Sequence, residues 1–206
     1  MARLRKLMLE RLMRYYQFLA ELTAGNPVSN VTSAQIAEVL DVDPTQVRKD
    51  FRSIGLMGMG RVGFDTCEVC RTIRIVLGFD LDYEAVLVGT GHLGTAMLAY
   101  SGFARYGLRI VAAFDSDQDK VGEEIAGYSI KSTMLMKSYV ETSGIRLAVL
   151  TTPPGASQEL TDRLVSAGVT AIWNFSPTRL TVPAGVFVRH EHISVGLSEI
   201  SHHLKP

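Results

Sequence analysis

Residues 89 to 94 read Gly89-Thr90-Gly91-His92-Leu93-Gly94. A G-x-G-x-x-G of this kind can hold a pyrophosphate. Its first glycine makes a tight turn, its second lets backbone approach the phosphates, and its third packs a helix closely on a strand. The N-terminus of that helix adds N–H donors and a positive potential. Asp115 stands about 20 residues past the last glycine, where an acid can accept both hydroxyls of a ribose. Its charge would repel a 2′-phosphate, which favours NAD(H) over NADP(H). Thr152-Pro153-Pro154-Gly155 follows a later apolar run, at the strand end where open α/β sheets bind ligands. Thr152 and Pro153 therefore join the candidate site.

A second set of residues is basic. Thr45, Arg48, Lys49 and Arg52 recur at helical spacing with Gln46 beside them, while Val47, Phe51 and Ile54 fall on the opposite face. Arginine can bind guanine in bidentate fashion in a major groove, and lysine can neutralise phosphate. Gly55 to Phe64 carries four glycines and reads as a tight hairpin, a wing with Arg61 at its tip. A guanidinium there suits the negative potential of a minor groove. A dehydrogenase would also need an acid–base group beside the nicotinamide. His92 lies inside the glycine loop, and His190, His192, His202 and His203 show no His–Asp or Tyr-x-x-x-Lys pattern.

The elements that must position these groups are legible. Leu9, Leu12, Met13, Tyr16, Leu19 and Leu22 make a helical stripe stopped by Gly25, with a loop at Asn26-Pro27. Thr32 and Gln35 fit a capping box before a short helix faced by Ile36, Val39 and Leu40. Asp43 and Pro44 suit the N-cap and first position of the next helix, and the pair forms a helix-turn-helix shape. Asp65-Thr66 begins another helix, on which Cys67, Cys70, Ile73 and Leu77 read as one buried stripe. Gly78 to Asp82 reads as a linker. Strands follow at 84–88, 109–114, 145–151, 170–174 and 187–189, with helices at 95–106, 132–141 and 156–167. Ile193, Leu197, Ile200 and Leu204 form a last stripe that needs a partner surface.

The 206 residues are 47% hydrophobic, enough for two small cores, and the formal net charge is zero. That average hides an asymmetry. Residues 1–78 hold 11 Lys/Arg against 8 Asp/Glu, and the remainder hold 10 against 13. No apolar run approaches the roughly 18 residues of a membrane span. With only Cys67 and Cys70 close together, the chain reads as cytoplasmic. The expected class is α/β, with a winged helix-turn-helix domain (1–78), a Rossmann-type parallel-sheet domain (79–191) and a C-terminal helix (192–206).

Nearly the whole chain resembles the Rex family of redox-sensing transcriptional repressors. The resemblance rests on Gln46-Val47-Arg48-Lys49-Asp50-Phe51, the wing with Gly63-Phe64, Leu87 to Ala96, Phe114-Asp115, and Asn174 to Leu180. It implies a homodimer whose C-terminal helix is exchanged between subunits. It further implies that NADH releases a near-palindromic operator on double-stranded DNA while NAD⁺ favours repression. Arg48, Lys49 and Arg61 match DNA-contacting positions, and Tyr100 matches a tyrosine in the helix after the phosphate loop. Many relatives carry an Arg at Gln17 and an Asp at His192, a pair associated with the switch; the next residue, often Phe or Leu near the nicotinamide, is Ile193. Relatives also often carry Lys or Arg where the wing has Met59-Gly60. Two other readings compete: a regulator with an altered or lost dinucleotide response, and a small NAD-dependent oxidoreductase.

Overall fold

The computed structural model describes residues 4–25 and 28–205, apart from the side chains of Ile193 and Glu199. The Asn26-Pro27 loop lies outside the described residues. The chain divides between Leu81 and Asp82, three residues beyond the expected boundary.

The first unit is built from α1 (Lys6–Gly25), β1 (Asn30–Val31), α2 (Ser33–Leu40), α3 (Pro44–Ser53), β2 (Phe64–Asp65) and α4 (Thr66–Leu77). Thr32 and Gln35 close the capping box of α2. The Asp43 side chain accepts the Thr45 N–H to start α3, with Pro44 in the first turn. The buried stripe of α1 is Leu12, Tyr15 and Leu19, whereas Leu9 is exposed. The helix is turned relative to the expected stripe because the Tyr15 hydroxyl has a buried partner in α3. Tyr15 and Phe64 both meet Phe51 edge-on, at 5.6 and 4.9 Å between ring centres. Such contacts add about 0.5–1.5 kcal/mol each beyond burial. The α4 stripe also differs from expectation. Asp65 caps the helix through the Glu68 N–H, and Thr66, Val69 and Ile73 are buried, but Cys67 is exposed. It falls about 100° from Thr66 around the helix and so leaves the core face.

The second unit holds β3 (Tyr83–Val88), α5 (His92–Ala99), β4 (Leu108–Asp115), β5 (Glu124–Ile125), β6 (Tyr128–Ser132), α6 (Met136–Ser143), β7 (Leu147–Leu150), α7 (Pro154–Ser166), β8 (Ala171–Asn174), β9 (Phe187–His190) and α8 (Ile193–His203). The sheet order is β5-β6-β4-β3-β7-β8-β9, parallel except for β5. Omitting β5, this is the doubly wound 3-2-1-4-5-6 order, which opens a crevice where β3 meets β7. Two buried clusters cover the faces, one around Phe114, Met136 and Leu164 and the other around Leu87, Ile130 and Val149.

The expected helix over 95–106 is two elements. Helix α5 starts earlier, at His92, and stops at Ala99; a 3-10 helix runs from Ser101 to Tyr106. Tyr100 is extended (φ −81°, ψ 104°) and its ring lies over Gly102, where a Cβ would come within 2.3 Å of it. The strand β6 and its hairpin with β5 were not expected. Ala126 (φ 52°) and Gly127 (φ 83°) form that turn, and Ala126 hides it because alanine rarely adopts a positive φ.

Candidate dinucleotide and nucleic-acid sites

The glycine loop sits in the crevice. Gly89 follows β3 at φ 97°, and a Cβ on it would lie 2.9 Å from Thr151 O. A Cβ on Gly94 would lie 1.9 Å from Gly89 O. A Cβ on Gly91 would meet nothing within 4 Å. Gly89 and Gly94 are therefore demanded by the protein, while Gly91 faces open space beside the cleft after β3. Gly91 also caps α5 with no side-chain hydrogen bond, so no side chain takes up the first-turn N–H groups and they are free to receive an anion. His92 and Leu93 are exposed on that turn.

Gly89, Gly91, Asp115, Lys120, Thr152 and Pro153 line one cleft of ≈ 350 Å³, a usual size for a small-molecule site. Asp115 is already engaged there. Its Oδ2 accepts the Thr90 N–H at 2.7 Å and the Thr90 hydroxyl at 2.6 Å, and its Oδ1 accepts the Asp117 N–H at 3.0 Å. Burial raises its pKa, but these bonds and Lys120, 3.7 Å away, outweigh burial and hold it below the usual carboxylate range. The carboxylate stays charged at neutral pH, with one acceptor position left on Oδ1. No sequence pattern points to Lys120, because its spacing from Asp115 follows no helical or strand period. The hydroxyls of Thr152, Ser157 and Ser176 are chained at 3.0 and 2.6 Å, and the Asn174 amide donates to Ser176 O at 3.2 Å. All four residues are buried and fix the loop after β7.

Thr45, Arg48, Lys49 and Arg52 are exposed on α3, and Val47 and Phe51 are buried. Gln46 differs from its neighbours. It is half-buried, and its amide donates to Asp50 Oδ1 at 2.8 Å. Arg48 donates to the hydroxyls of Ser33 and Thr45, at 3.1 Å each, which aligns its guanidinium. The wing closes through Met59 N–H to Gly63 O (2.7 Å) and Gly63 N–H to Met59 O (2.9 Å). A ≈ 770 Å³ groove runs between α3 and the wing, lined by Arg48, Arg52 and Arg61.

Arg61 adopts a left-handed backbone at φ 62° on the wing. That conformation costs an L-residue about 1–2 kcal/mol. Strain of this kind collects at functional positions. Arg61→Gly is expected to stabilise the protein by about 0.5–1 kcal/mol, part of the relief being offset by glycine's greater unfolded-state entropy. The same change is expected to weaken DNA binding about tenfold. Urea unfolding and gel-shift titration of one preparation check both signs; a variant that binds DNA unchanged removes Arg61 from the interface.

Of the expected switch residues, Gln17 is exposed on α1, and Tyr100 is 55% exposed beside Phe103. His192 is exposed at the N-cap of α8 and stacks on His190 at 6.3 Å. Ile193 opens α8, and its side chain lies outside the described residues. Along α8, Val195, Leu197, Ile200 and Leu204 are exposed.

The model of a putative DNA-binding protein N-terminus matches residues 6–51, and that of a CoA-binding domain matches residues 80–178. The redox-sensing transcriptional repressor Rex of Streptomyces griseus is 38% identical over 94% of this chain and 76% of its own. That of Clostridioides difficile is 30% identical over 96% of this chain and 93% of its own. The chain belongs to the Rex family. It is a redox-sensing transcriptional repressor and not an enzyme, which sets aside the oxidoreductase reading. Among solved Rex-family structures, RSP in complex with β-NAD⁺ and operator DNA has a TM-score of 0.91 at 29% identity, covering 99% of this chain and 94% of that one. RSP in complex with β-NADH gives 0.89 at 29%, covering 99% and 95%. The Rex fold of an N-terminal DNA-binding domain followed by a Rossmann-like domain is thus the fold of this chain. No helix among the described residues is long and apolar enough to cross a membrane.

Proposed function

We propose that this Rex-family chain is a cytoplasmic homodimer that represses by holding a near-palindromic operator, and that NADH releases it. Thr45, Arg48, Lys49 and Arg52 face the major groove, and Arg61 enters the minor groove. Gln46 acts from behind, by holding Asp50. NADH lies with its pyrophosphate on the first turn of α5, against Gly91, His92 and Leu93. Asp115 accepts one ribose hydroxyl and Lys120 stands beside it; the acid's charge favours NAD(H) over NADP(H). NAD⁺ competes for the same cleft and favours the DNA-bound form. The exposed stripe of Val195, Leu197, Ile200 and Leu204 supports exchange of α8 with a second subunit.

The observation that carries this reading is the coexistence of two formed sites in one chain. One is a glycine loop whose only uncrowded glycine, among Gly89, Gly91 and Gly94, faces the cleft. The other is a basic groove between α3 and a wing. A ligand shifts such an equilibrium only by binding the two dimer forms unequally. Titrating NADH into the repressor on a labelled palindromic operator, at fixed salt, is expected to release DNA, and NAD⁺ to oppose release. Salt must be fixed because phosphate contacts make affinity steeply salt-dependent. Saturating NADH that leaves the complex intact sinks the reading. A second reading, altered coupling, draws on Gln17 and His192. Under it, calorimetry detects NADH binding while the operator stays bound.

A further inference from the structure

The wing carries more apolar surface than a hairpin needs. Met57 is 85% exposed, Met59 52% and Val62 50%, and all three flank Arg61 in the sequence Met57-Gly58-Met59-Gly60-Arg61-Val62. These side chains are not presented by a loose loop. The Met59–Gly63 bonds close the hairpin, and Val62 N–H donates to Met59 O at 3.0 Å. Gly58 packs on the Phe64 ring, where a Cβ would lie 3.1 Å away, and Gly63 packs on Val31 O, where it would lie 2.4 Å away. Phe64 in turn meets Phe51 of α3 at 4.9 Å, edge-on. The wing is therefore keyed to the recognition helix through two aromatic rings. Met57, Met59, Arg48, Arg52 and Arg61 line the same groove.

We propose that Met57, Met59 and Val62 form an apolar wedge that enters the minor groove with Arg61 and presses on sugar edges and a base step, contributing affinity that salt does not screen. The inference rests on the reading of this unit as DNA-binding. Three guanidiniums in the groove select a polyanion as its occupant. An apolar edge set among them suits the one part of a polyanion that is apolar, the sugar walls and unstacked base faces of a duplex. Apolar side chains used in this way, methionine among them, partly unstack a step and kink DNA. The favoured step is then a deformable pyrimidine–purine step such as TA or CA. Two methionines suit the task, since an unbranched thioether adapts to an irregular surface.

The test separates the wedge from the DNA reading itself. Met57, Met59 and Val62 are exposed, so their replacement leaves the core intact, which circular dichroism checks. The Met57→Ala, Met59→Ala double variant is expected to bind operator about tenfold more weakly. Its slope of log affinity against log salt is expected to equal that of the parent. Met59→Lys is expected to steepen the slope by about 0.9, Lys49→Ala to flatten it by a similar amount, and Arg48→Ala to weaken binding. Replacing a TA or CA step under the wing with a stiff A-tract is expected to weaken the parent and spare the double variant. The wedge is overturned if the double variant binds like the parent at every salt concentration, or if its salt slope changes. It is also overturned if gel filtration shows lost self-association in place of lost DNA affinity. Should Arg48→Ala leave DNA binding unchanged as well, the DNA reading fails with it.

Discussion

Arg11→Met is expected to destabilise the N-terminal unit by about 2–3 kcal/mol at pH 7, and less in acid. Asp50 lies on α3 and is 3% exposed. Its carboxylate accepts Arg11 Nε at 2.6 Å and a second Arg11 guanidinium nitrogen at 2.8 Å, the Tyr15 hydroxyl at 3.0 Å and the Gln46 amide. Removing one partner of a buried pair costs about 3–5 kcal/mol, because the other charge remains buried. The loss here is smaller than that range, since Tyr15 and Gln46 still donate to Asp50 and the Arg11 side chain is partly exposed. A loss of that size lowers the melting temperature of so small a unit by roughly 10 °C or more.

The pH dependence gives the test its sign. Burial raises the Asp50 pKa, but the bonds from Arg11, Tyr15 and Gln46 outweigh it, so the folded value lies below the usual one. Stability from Asp50 is therefore present above the unfolded pKa and is lost as pH falls through the lowered folded value. Without Arg11 the folded pKa rises from its parent value, since the Arg11 hydrogen bonds and charge no longer oppose burial. The penalty in the variant then applies above that raised value and fades as the carboxyl protonates. The gap between parent and variant should narrow as pH falls from 7 into the range where the variant's Asp50 protonates, read by urea unfolding of the full chain. A gap that does not depend on pH would assign Arg11 a packing role through its aliphatic stem. Tyr15 stays a neutral phenol, its pKa pushed up to about 12 by burial and by Asp50, against the opposing charge of Arg11. Because Asp50 sits between Lys49 and Phe51, operator affinity should fall along with stability.

This cluster marks where reading the chain alone stops. Local grammar was legible: the Thr32–Gln35 box, Asp43-Pro44, the Asp65 cap and the glycine loop are each written within a few residues. Arg11 and Asp50 are 39 positions apart, and no period links them. From the sequence, Asp50 is one more charge in a charged helix; only the packing of α1 on α3 makes it a buried acceptor. The Gln46 bond to Asp50 is hidden for the same reason, since helical spacing shows only that Gln46 lies beside the basic face. At the nucleotide cleft the backbone demands were legible as glycines. The occupancy of Asp115 by Thr90 and Lys120 was not, because it depends on how a turn folds back on a strand end. The β5–β6 hairpin stayed hidden because its turn uses Ala126 in a conformation that usually announces itself with Asn or Gly.

Gly94→Ala is expected to yield a repressor that binds operator but ignores NADH, with nucleotide affinity reduced more than about 100-fold, or roughly 2.7 kcal/mol. The added methyl would sit 1.9 Å from Gly89 O and 3.0 Å from Thr151 Oγ1. Neither neighbour can yield without cost. Gly89 donates its N–H to Phe114 O at 2.8 Å, and its carbonyl accepts the Thr151 hydroxyl at 2.6 Å. Helix α5 must therefore lift away from β3, at about 1–3 kcal/mol of overpacking, and its N–H groups leave the phosphate position. Gly91→Ala supplies the contrast. Its methyl meets no protein atom within 4 Å, and Gly91 has an ordinary φ of −67°. That variant should melt with the parent and bind DNA like it, yet lose NADH because the methyl occupies the space of the pyrophosphate. Calorimetry with NADH, thermal melting and operator gel shifts on both variants separate the two effects. If Gly91→Ala binds NADH as tightly as the parent, the pyrophosphate does not lie against the second glycine. The ligand would then have to be held from the Thr152-Pro153 side of the crevice.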